Sequence, residues 1–466
     1  MLLSLTQKKH RSNHIFLTIA NGWIFLAVGL IIVISFHKVI PYNMDEFVQF
    51  KQLRCFFYPN NQVLEGSDCG WLNLVLPGTT FALPLRAYDY IGSFPSLYYL
   101  PLFLIWKSPI SARLVGYLFL GLQALLLHKL FKIRTSVLLA GLILFFPYFF
   151  QHIVDTGPVV FQTTSIIAIY LLLDRWFKSG HFRYVLGIGL LVFLGMWTKI
   201  NYVWFLPGIA LITCIKAIEF RKSFWDKKNK LFIQGVVVSV LSLFLTLSYL
   251  FASNPGNRSH RPLIDSLLSG ESRTVTNTIR KLWSLDVTRK LLNPFQTTSR
   301  IFEINPDASV MDFYGLSLYL FIPLLFLVAF AAKKVWKPTL LYIAFLMTFF
   351  IIAMTKNASL MHHVVLAFPF FILFVCEMYV ELRKAHFKPI SNFLCATMVC
   401  AFVLINSAVF LLVPTQKIID WDDPSKMEVA EVLNDSYIAS NYIFIHANWG
   451  SYFYTGLFGH KNQAAI

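Results

Sequence analysis

Long apolar runs are the feature that most limits how this chain can fold. They are about 15 to 23 residues long and recur between residues 15 and 412. A bilayer hydrocarbon core about 30 Å thick takes about 20 helical residues to cross, and helices satisfy their own backbone polar groups there. Charged residues make up only 14% of the 466 residues, against about 25% in soluble domains. The runs therefore predict an all-α polytopic membrane protein.

Eleven of these runs are long enough to be candidate transmembrane helices. They lie at about residues 15–37, 111–128, 136–150, 158–173, 183–198, 201–217, 231–251, 312–332, 338–355, 361–380 and 390–412. A further apolar stretch at 94–106, "FPSLYYLPLFLIW", contains two prolines and is too short to cross. We expect it to be interfacial or re-entrant.

The distribution of basic residues indicates the orientation. If the N-terminus is inside, the six inside segments contain 21 Lys or Arg and four acidic residues. Lys and Arg near span ends are retained on the cytoplasmic side, so we predict an inside N-terminus. The net charge of +17 then reflects topology and contact with anionic lipid headgroups, and it requires no nucleic-acid partner. The first span is too long for a signal-peptide core, so it is predicted to stay as an anchor.

This topology divides the chain into two parts. Residues 1–413 form the transmembrane core, and they include an outer loop at 38–110 and a second at 251–312. Residues 414–466 form a small extracytoplasmic segment with a predicted short helix. The helix is followed by the strand-like "YIFIHANWG". The segment therefore resembles a small α/β module, to which we assign no activity.

Acidic residues lie at two places on the predicted outer face. Asp45 and Glu46 follow the first span in "PYNMDEFVQF", and Asp155 lies in "HIVDTGP" between the third and fourth spans. Taken alone, an Asp-Glu pair in a loop is more typical of a solvated surface than of an active site. The first outer loop also contains Cys55 and Cys69, and two interpretations stay open for them, a disulfide or two unpaired thiols.

Basic and histidine side chains lie at the same predicted face. Lys199 falls in a tight outward turn in "LGMWTKINYVWFLPG", and Arg113 begins the second span. A lysine at this depth either snorkels to the surface or meets an anion. His362 and His363 start the tenth span in "SLMHHVVLAFP". Adjacent histidines point apart on a helix, so a structural role competes with a ligand-binding one.

Several short motifs occur in an order that resembles the C-type membrane glycosyltransferases. They are the outer "DE" loop, "PSLYYL" at 95–100, "SARLVGYLF" at 111–119, "DTGP" at 155–158 and "TKINYVWFLP" at 198–207. The resemblance covers about residues 15–210. It is strongest to the branch that contains the protein O-mannosyltransferases and the lipid A aminoarabinose transferases.

The resemblance implies sugar transfer from a polyprenyl-phosphate donor to an acceptor hydroxyl on the outer leaflet, with inversion at the anomeric carbon. The acceptor is a glycan, a lipid or a protein, and the setting is the plasma (inner) membrane of a bacterium. A carboxylate within hydrogen-bond reach can take the proton of a weakly nucleophilic hydroxyl, and Asp45 matches the family's base. For Glu46 and Asp155 three roles stay open: orienting the acceptor, tuning the base or sharing a divalent metal.

The resemblance also assigns the cationic residues to the donor. Charge that builds on the leaving lipid phosphate needs a cation to stabilise it. Lys199 matches the family in sequence, and Arg113 is the second candidate. His362 and His363 are also candidates for the donor phosphate, although this pair departs from the Arg-Tyr that family members often have at these positions.

Other functions remain open at this point. An ion-coupled transporter or a flippase would bury ionisable groups near the bilayer midplane. The predicted spans contain almost none, since Glu377 lies near an inside end, where it can snorkel. A glycan polymerase or ligase would share substrates and location without requiring these ordered motifs, and an inactive scaffold would not need Asp45.

Overall fold

The computed structural model describes residues 73–75, 82–84, 86–88, 91–105, 109–153, 157–252, 319–320, 322–329, 335–354, 361–384, 444–446 and 463–465. Helices dominate this part of the chain. In order they are α1 (Phe94–Ile105), α2 (Pro109–Phe131), α3 (Thr135–Leu144), α4 (Phe146–Ile153), α5 (Pro158–Ser179), α6 (Phe182–Thr198), a 3₁₀ segment (Ile200–Phe205), α7 (Leu206–Glu219), α8 (Arg221–Ala252), α9 (Ile322–Ala329), α10 (Trp336–Met354), α11 (Met361–Val364), a 3₁₀ turn (Val365–Ala367) and α12 (Phe368–Lys384).

Short strands form three two-stranded pairs. Strand β1 (Asn73–Val75) pairs antiparallel with β2 (Ala82–Pro84), and β3 (Arg86–Tyr88) pairs antiparallel with β4 (Ile91–Gly92). Near the C-terminus, β5 (Phe444–His446) pairs in parallel with β6 (Gln463–Ala465). Strand β5 lies inside the predicted strand "YIFIHANWG".

Six helical stretches of the described chain are long and apolar enough to cross a membrane. They run over Ser111–Phe131, Pro158–Ser179, Ile200–Glu219, Arg221–Leu250, Trp336–Ala353 and Val365–Arg383. Each coincides with a predicted span, which confirms a helical polytopic membrane protein. The predicted spans at 15–37 and 390–412 fall outside the described residues. The stretch at 94–106 is the 12-residue helix α1.

One predicted span is wrong as a single helix, because residues 136–150 are divided between α3 and α4. Phe145 leaves the helical conformation with φ −81° and ψ 82°, and its N–H bonds back to the Gly141 carbonyl. The break follows from Pro147, whose ring nitrogen has no N–H to continue the helix. The bend permits α4 to aim its side chains in a different direction from α3.

Helix α5 lies at the centre of the bundle. Of its most apolar window 67% is buried, against 22% for α8, and α5 packs against α2, α6, α7 and α12. Helix α8 instead leaves Phe232, Val240 and Phe244 exposed. A group on α5 is therefore surrounded by protein on most sides, whereas α8 carries an outward apolar face.

An ionic network connects four helices at their predicted cytoplasmic ends. Buried Lys216 on α7 reaches Asp174 on α5 at 3.2 Å and Glu219 at 2.9 Å. Lys337 on α10 reaches Glu219 at 2.7 Å and Glu377 on α12 at 3.6 Å. Glu377 is only 7% exposed, so the expectation that it snorkels is corrected: it lies inside this network and is paired by Lys337.

Candidate functional site

The turn before α5 is held from both sides by two neighbouring tyrosines. The Tyr98 hydroxyl donates to the Gly157 carbonyl oxygen at 2.9 Å. The Gly157 N–H donates to the Tyr99 hydroxyl oxygen at 3.0 Å. Gly157 has φ 138° and ψ −141°, a backbone conformation that essentially only glycine adopts. The motifs "PSLYYL" and "DTGP" are thus joined at the backbone.

Aromatic contacts connect α1 to two further motifs. The Tyr98 ring lies 5.2 Å from the ring of Phe119 on α2, at the end of "SARLVGYLF". The Phe94 ring lies 4.9 Å from Phe161 on α5 and 5.5 Å from Trp197 on α6. Helix α1, which was predicted as an interfacial or re-entrant segment, therefore packs against the helices that carry the other motifs.

Lys199 lies where α6 ends and the 3₁₀ segment begins. Its backbone is extended, with φ −163° and ψ 134°, and the residue is 5% exposed. The Gln162 side chain on α5 donates through Nε2 to the Lys199 carbonyl oxygen at 3.0 Å and to Asn201 Oδ1 at 2.9 Å. Lys199 is therefore enclosed by protein, and the alternative of a lysine snorkelling to the surface does not describe it.

The other described candidates for the donor phosphate are Arg113, His362 and His363. Arg113 lies near the start of α2 and is fully buried. His363 on α11 packs its ring edge-on against Trp204, with centroids 5.8 Å apart and planes at 80°. Because Trp204 belongs to the 3₁₀ segment that follows Lys199, the histidine motif and the lysine motif are brought together. His362 is also in α11.

The acidic candidates Asp45, Glu46 and Asp155 lie outside the described residues, as do Cys55 and Cys69. Their predicted roles stay predictions. Within the part of the chain that the structure covers, no group of three His, Cys, Asp or Glu side chains could hold a metal ion.

Sequence reasoning missed a polar cluster between α2, α4 and α5. Gln123 Nε2 lies 2.7 Å from Thr164 Oγ1 and 3.1 Å from His152 Nε2, and the Tyr148 hydroxyl donates to Gln123 Oε1 at 2.8 Å. His152 Nδ1 lies 2.7 Å from the Tyr148 carbonyl oxygen. A carbonyl only accepts, so Nδ1 carries the proton, and Nε2 accepts from Gln123. This hydrogen-bond arrangement fits a neutral His152.

A signal for these polar contacts was present in the sequence. The run "QTTS" at 162–165 places four polar residues in succession inside a predicted span, and all four are buried. Polar side chains in apolar surroundings require partners. The run therefore marks α5 as an interior helix, although it does not identify the partners.

Two solved structures resemble the chain. The crystal structure of ArnT from Cupriavidus metallidurans bound to undecaprenyl phosphate aligns over 94% of this chain and 85% of its own, with 12% identity and a TM-score of 0.47. The archaeal oligosaccharyltransferase AglB from Archaeoglobus fulgidus, in complex with an inhibitory peptide and a dolichol-phosphate, aligns over 95% of this chain with 13% identity and a TM-score of 0.44, and this chain spans 64% of its length. Both are C-type glycosyltransferases, the superfamily that the ordered motifs resemble. No family model matches the sequence, and no curated protein does so.

Proposed function

We propose that this protein is a membrane glycosyltransferase. It transfers a sugar from a polyprenyl-phosphate donor to an acceptor hydroxyl on the extracytoplasmic face, with inversion at the anomeric carbon. The observation that carries the proposal is the meeting of four separate motifs. Hydrogen bonds and ring contacts join "PSLYYL" to "SARLVGYLF" and to "DTGP", and Gln162, soon after "DTGP", bonds to the lysine of "TKIN".

In this proposal Lys199 binds the donor phosphate. A buried ammonium group is stabilised by an anion, and the same group can offset the negative charge that develops on the leaving phosphate. Arg113 is the second phosphate contact, since a fully buried guanidinium offers a planar fork suited to phosphate oxygens. His363 is placed beside the lysine segment by Trp204, and His362 completes the predicted donor group.

Asp45 is the proposed general base, which takes the proton of the acceptor hydroxyl as the new glycosidic bond forms. The electron pair of the old sugar–oxygen bond leaves with the polyprenyl phosphate, and the added negative charge of this leaving group is balanced by the proton that Asp45 takes from the acceptor. Glu46 and Asp155 orient the acceptor, tune the base or share a divalent metal. The setting that we propose is a bacterial plasma membrane, with a glycan, lipid or protein as acceptor.

A transporter or flippase is the second candidate, and the buried ionisable groups His152 and Lys216 are the observation in its favour. Their contacts argue against a coupling role. The geometry of His152 fits a neutral ring with both nitrogens engaged by protein partners. Lys216 bonds to two carboxylates. We therefore assign both groups to structural contacts, and an assay of translocation separates the two functions.

The test compares wild type with Asp45→Asn in liposomes. The liposomes contain a panel of polyprenyl-phosphate sugars built on undecaprenyl phosphate and on dolichol phosphate, the lipids present in the two similar structures. A membrane extract supplies acceptors, and mass spectrometry follows released polyprenyl phosphate. Asp226→Asn, at an exposed carboxylate of α8, is the matched control.

We expect wild type and Asp226→Asn to release polyprenyl phosphate and Asp45→Asn to release almost none, because general-base catalysis contributes about 10²–10⁴-fold. Equal release by all three proteins would overturn the role of Asp45. Movement of the intact lipid-linked sugar between leaflets, without release, would replace the proposal by the flippase.

A further inference from the structure

We propose that Gln162 is a positioning residue that holds Lys199 in place for the phosphate of the lipid-linked donor. The inference rests on the proposed function and extends it to a residue that touches neither donor nor acceptor. Gln162 acts on the reaction only through the backbone and neighbours of Lys199.

The backbone at Lys199 changes conformation between two helical segments. Helix α6 ends at Thr198 and the 3₁₀ segment begins at Ile200, so Lys199 is an extended residue between two helical segments. Its N–H bonds to the Gly195 carbonyl oxygen at 3.2 Å, and its own carbonyl accepts from the Tyr202 N–H at 3.0 Å. Both of these bonds are local to the segment.

Gln162 connects this segment to the central helix α5. Its amide nitrogen has two protons, and each one has an acceptor on the lysine segment: the Lys199 carbonyl oxygen at 3.0 Å and Asn201 Oδ1 at 2.9 Å. The side chain therefore bridges residues on both sides of Ile200. Since α5 is among the most buried helices of the bundle, the bridge fixes this segment to a rigid support.

The other end of the same amide indicates that the residue does more than fill space. Gln162 is fully buried, and its Oε1 makes no hydrogen bond among the described residues. A buried acceptor without a partner is unfavourable. An apolar side chain of similar size would avoid that penalty but would lose both bonds to the lysine segment. The arrangement therefore favours a role in placing Lys199 over a role in packing alone.

Ser165 offers a matched control on the same helix. Its hydroxyl lies 2.7 Å from the Tyr202 hydroxyl in the same 3₁₀ segment and donates to the Gln162 carbonyl oxygen at 2.7 Å, and neither contact involves Lys199. Removing the Ser165 hydroxyl thus weakens the attachment of α5 to the segment without removing the support of the lysine carbonyl. The pair Gln162→Leu and Ser165→Ala separates positioning of Lys199 from attachment of the segment.

The experiment measures donor KM and kcat for wild type, Gln162→Leu, Ser165→Ala, Lys199→Met and the double variant Gln162→Leu/Lys199→Met in liposomes. We expect Gln162→Leu to raise donor KM about tenfold, with kcat changed less than about twofold, and Ser165→Ala to leave donor KM unchanged. In the Lys199→Met background Gln162→Leu should have no further effect, because residues that act through one another are not additive.

The inference would be overturned if Gln162→Leu changed donor KM by the same factor in wild type and in Lys199→Met. It would also be overturned if Gln162→Leu lowered kcat and left donor KM unchanged. If Gln162→Leu does not fold, Gln162→Met carries the same prediction. If wild type transfers no sugar, the proposed reaction fails, and binding of undecaprenyl phosphate to the protein in nanodiscs then tests the inference by itself. Loss of binding in Gln162→Leu but not in Ser165→Ala would support the inference. If wild type does not bind undecaprenyl phosphate, both the inference and the proposed function are overturned.

Discussion

The Tyr98 hydroxyl donates a hydrogen bond to the Gly157 carbonyl oxygen at 2.9 Å, although 59 positions of the chain separate them. The next tyrosine, Tyr99, accepts from the Gly157 N–H. Both backbone polar groups of one glycine are thus satisfied by one helix. In an apolar bundle such groups need partners within the protein, so α1 determines the path of the chain into α5.

Removing either tyrosine hydroxyl should weaken this turn. We expect Tyr98→Phe and Tyr99→Phe each to lower the free energy of unfolding by about 1 kcal/mol, the net value of a typical buried hydrogen bond. Tyr184→Phe is the control, because among the described residues the Tyr184 hydroxyl accepts a hydrogen bond only from the exposed Arg183 side chain. Thermal unfolding in nanodiscs measures the difference. Equal losses in all three variants would contradict a special role for the Gly157 turn.

Lys199→Met should weaken donor binding. Hydrogen bonds to charged groups are worth about 1.5–3 kcal/mol, so we expect donor KM to rise about 10- to 100-fold. Lys230→Met removes a lysine from the exposed, predicted cytoplasmic part of α8 and should leave KM unchanged. Steady-state release of polyprenyl phosphate measures both. A loss of kcat at constant donor KM in Lys199→Met would contradict donor binding by the lysine and leave it only the role of offsetting charge on the leaving phosphate.

Gly92→Ala should disrupt the contact between β4 and the end of α6. A Cβ atom at Gly92 would overlap the Trp197 carbonyl oxygen, which is backbone and cannot move aside as a side chain would. Overpacking typically costs about 1–3 kcal/mol. At Gly141 a Cβ meets no atom within 4 Å, so Gly141→Ala should be neutral or slightly stabilising. Thermal unfolding measures the stability of the two variants. Equal unfolding temperatures for Gly92→Ala and Gly141→Ala would contradict the close approach at Gly92.

The two lysines that pair with Asp174 should differ in their contribution to stability. Lys178 lies closer, at 2.7 Å, but its side chain is 55% exposed, whereas Lys216 lies at 3.2 Å and is 5% exposed. Exposed pairs contribute about 0–1 kcal/mol, and removing one partner of a buried pair costs about 3–5 kcal/mol. We therefore expect Lys216→Met to lower the unfolding temperature clearly and Lys178→Met to have little effect. The reverse order would show that distance outweighs burial here.

Features of the fold that have a local cause in the sequence could be predicted, whereas features that depend on the packing of distant segments could not. The spans at 111–128 and 158–173 follow from run length alone, and α2 and α5 are found there. The break at Phe145 was missed, although Pro147 is its local cause, because the apolar pattern continues through it. Lys199 and Arg113 were selected as candidates from their depth and from motif resemblance, but their burial inside the bundle required the packed structure.

By itself the sequence determined that this is a helical membrane protein, because the thickness of a bilayer and the satisfaction of backbone polar groups act on each apolar run separately. The run "QTTS" in α5 was a signal for buried polar contacts that the sequence analysis did not use. Only the tertiary structure decided that Gln162 bonds to Lys199, that Tyr98 and Tyr99 hold Gly157, and that Glu377 joins an ionic network. A buried polar group requires a partner, but any nearby element can supply it, and which elements are near is decided by the packing of the whole bundle.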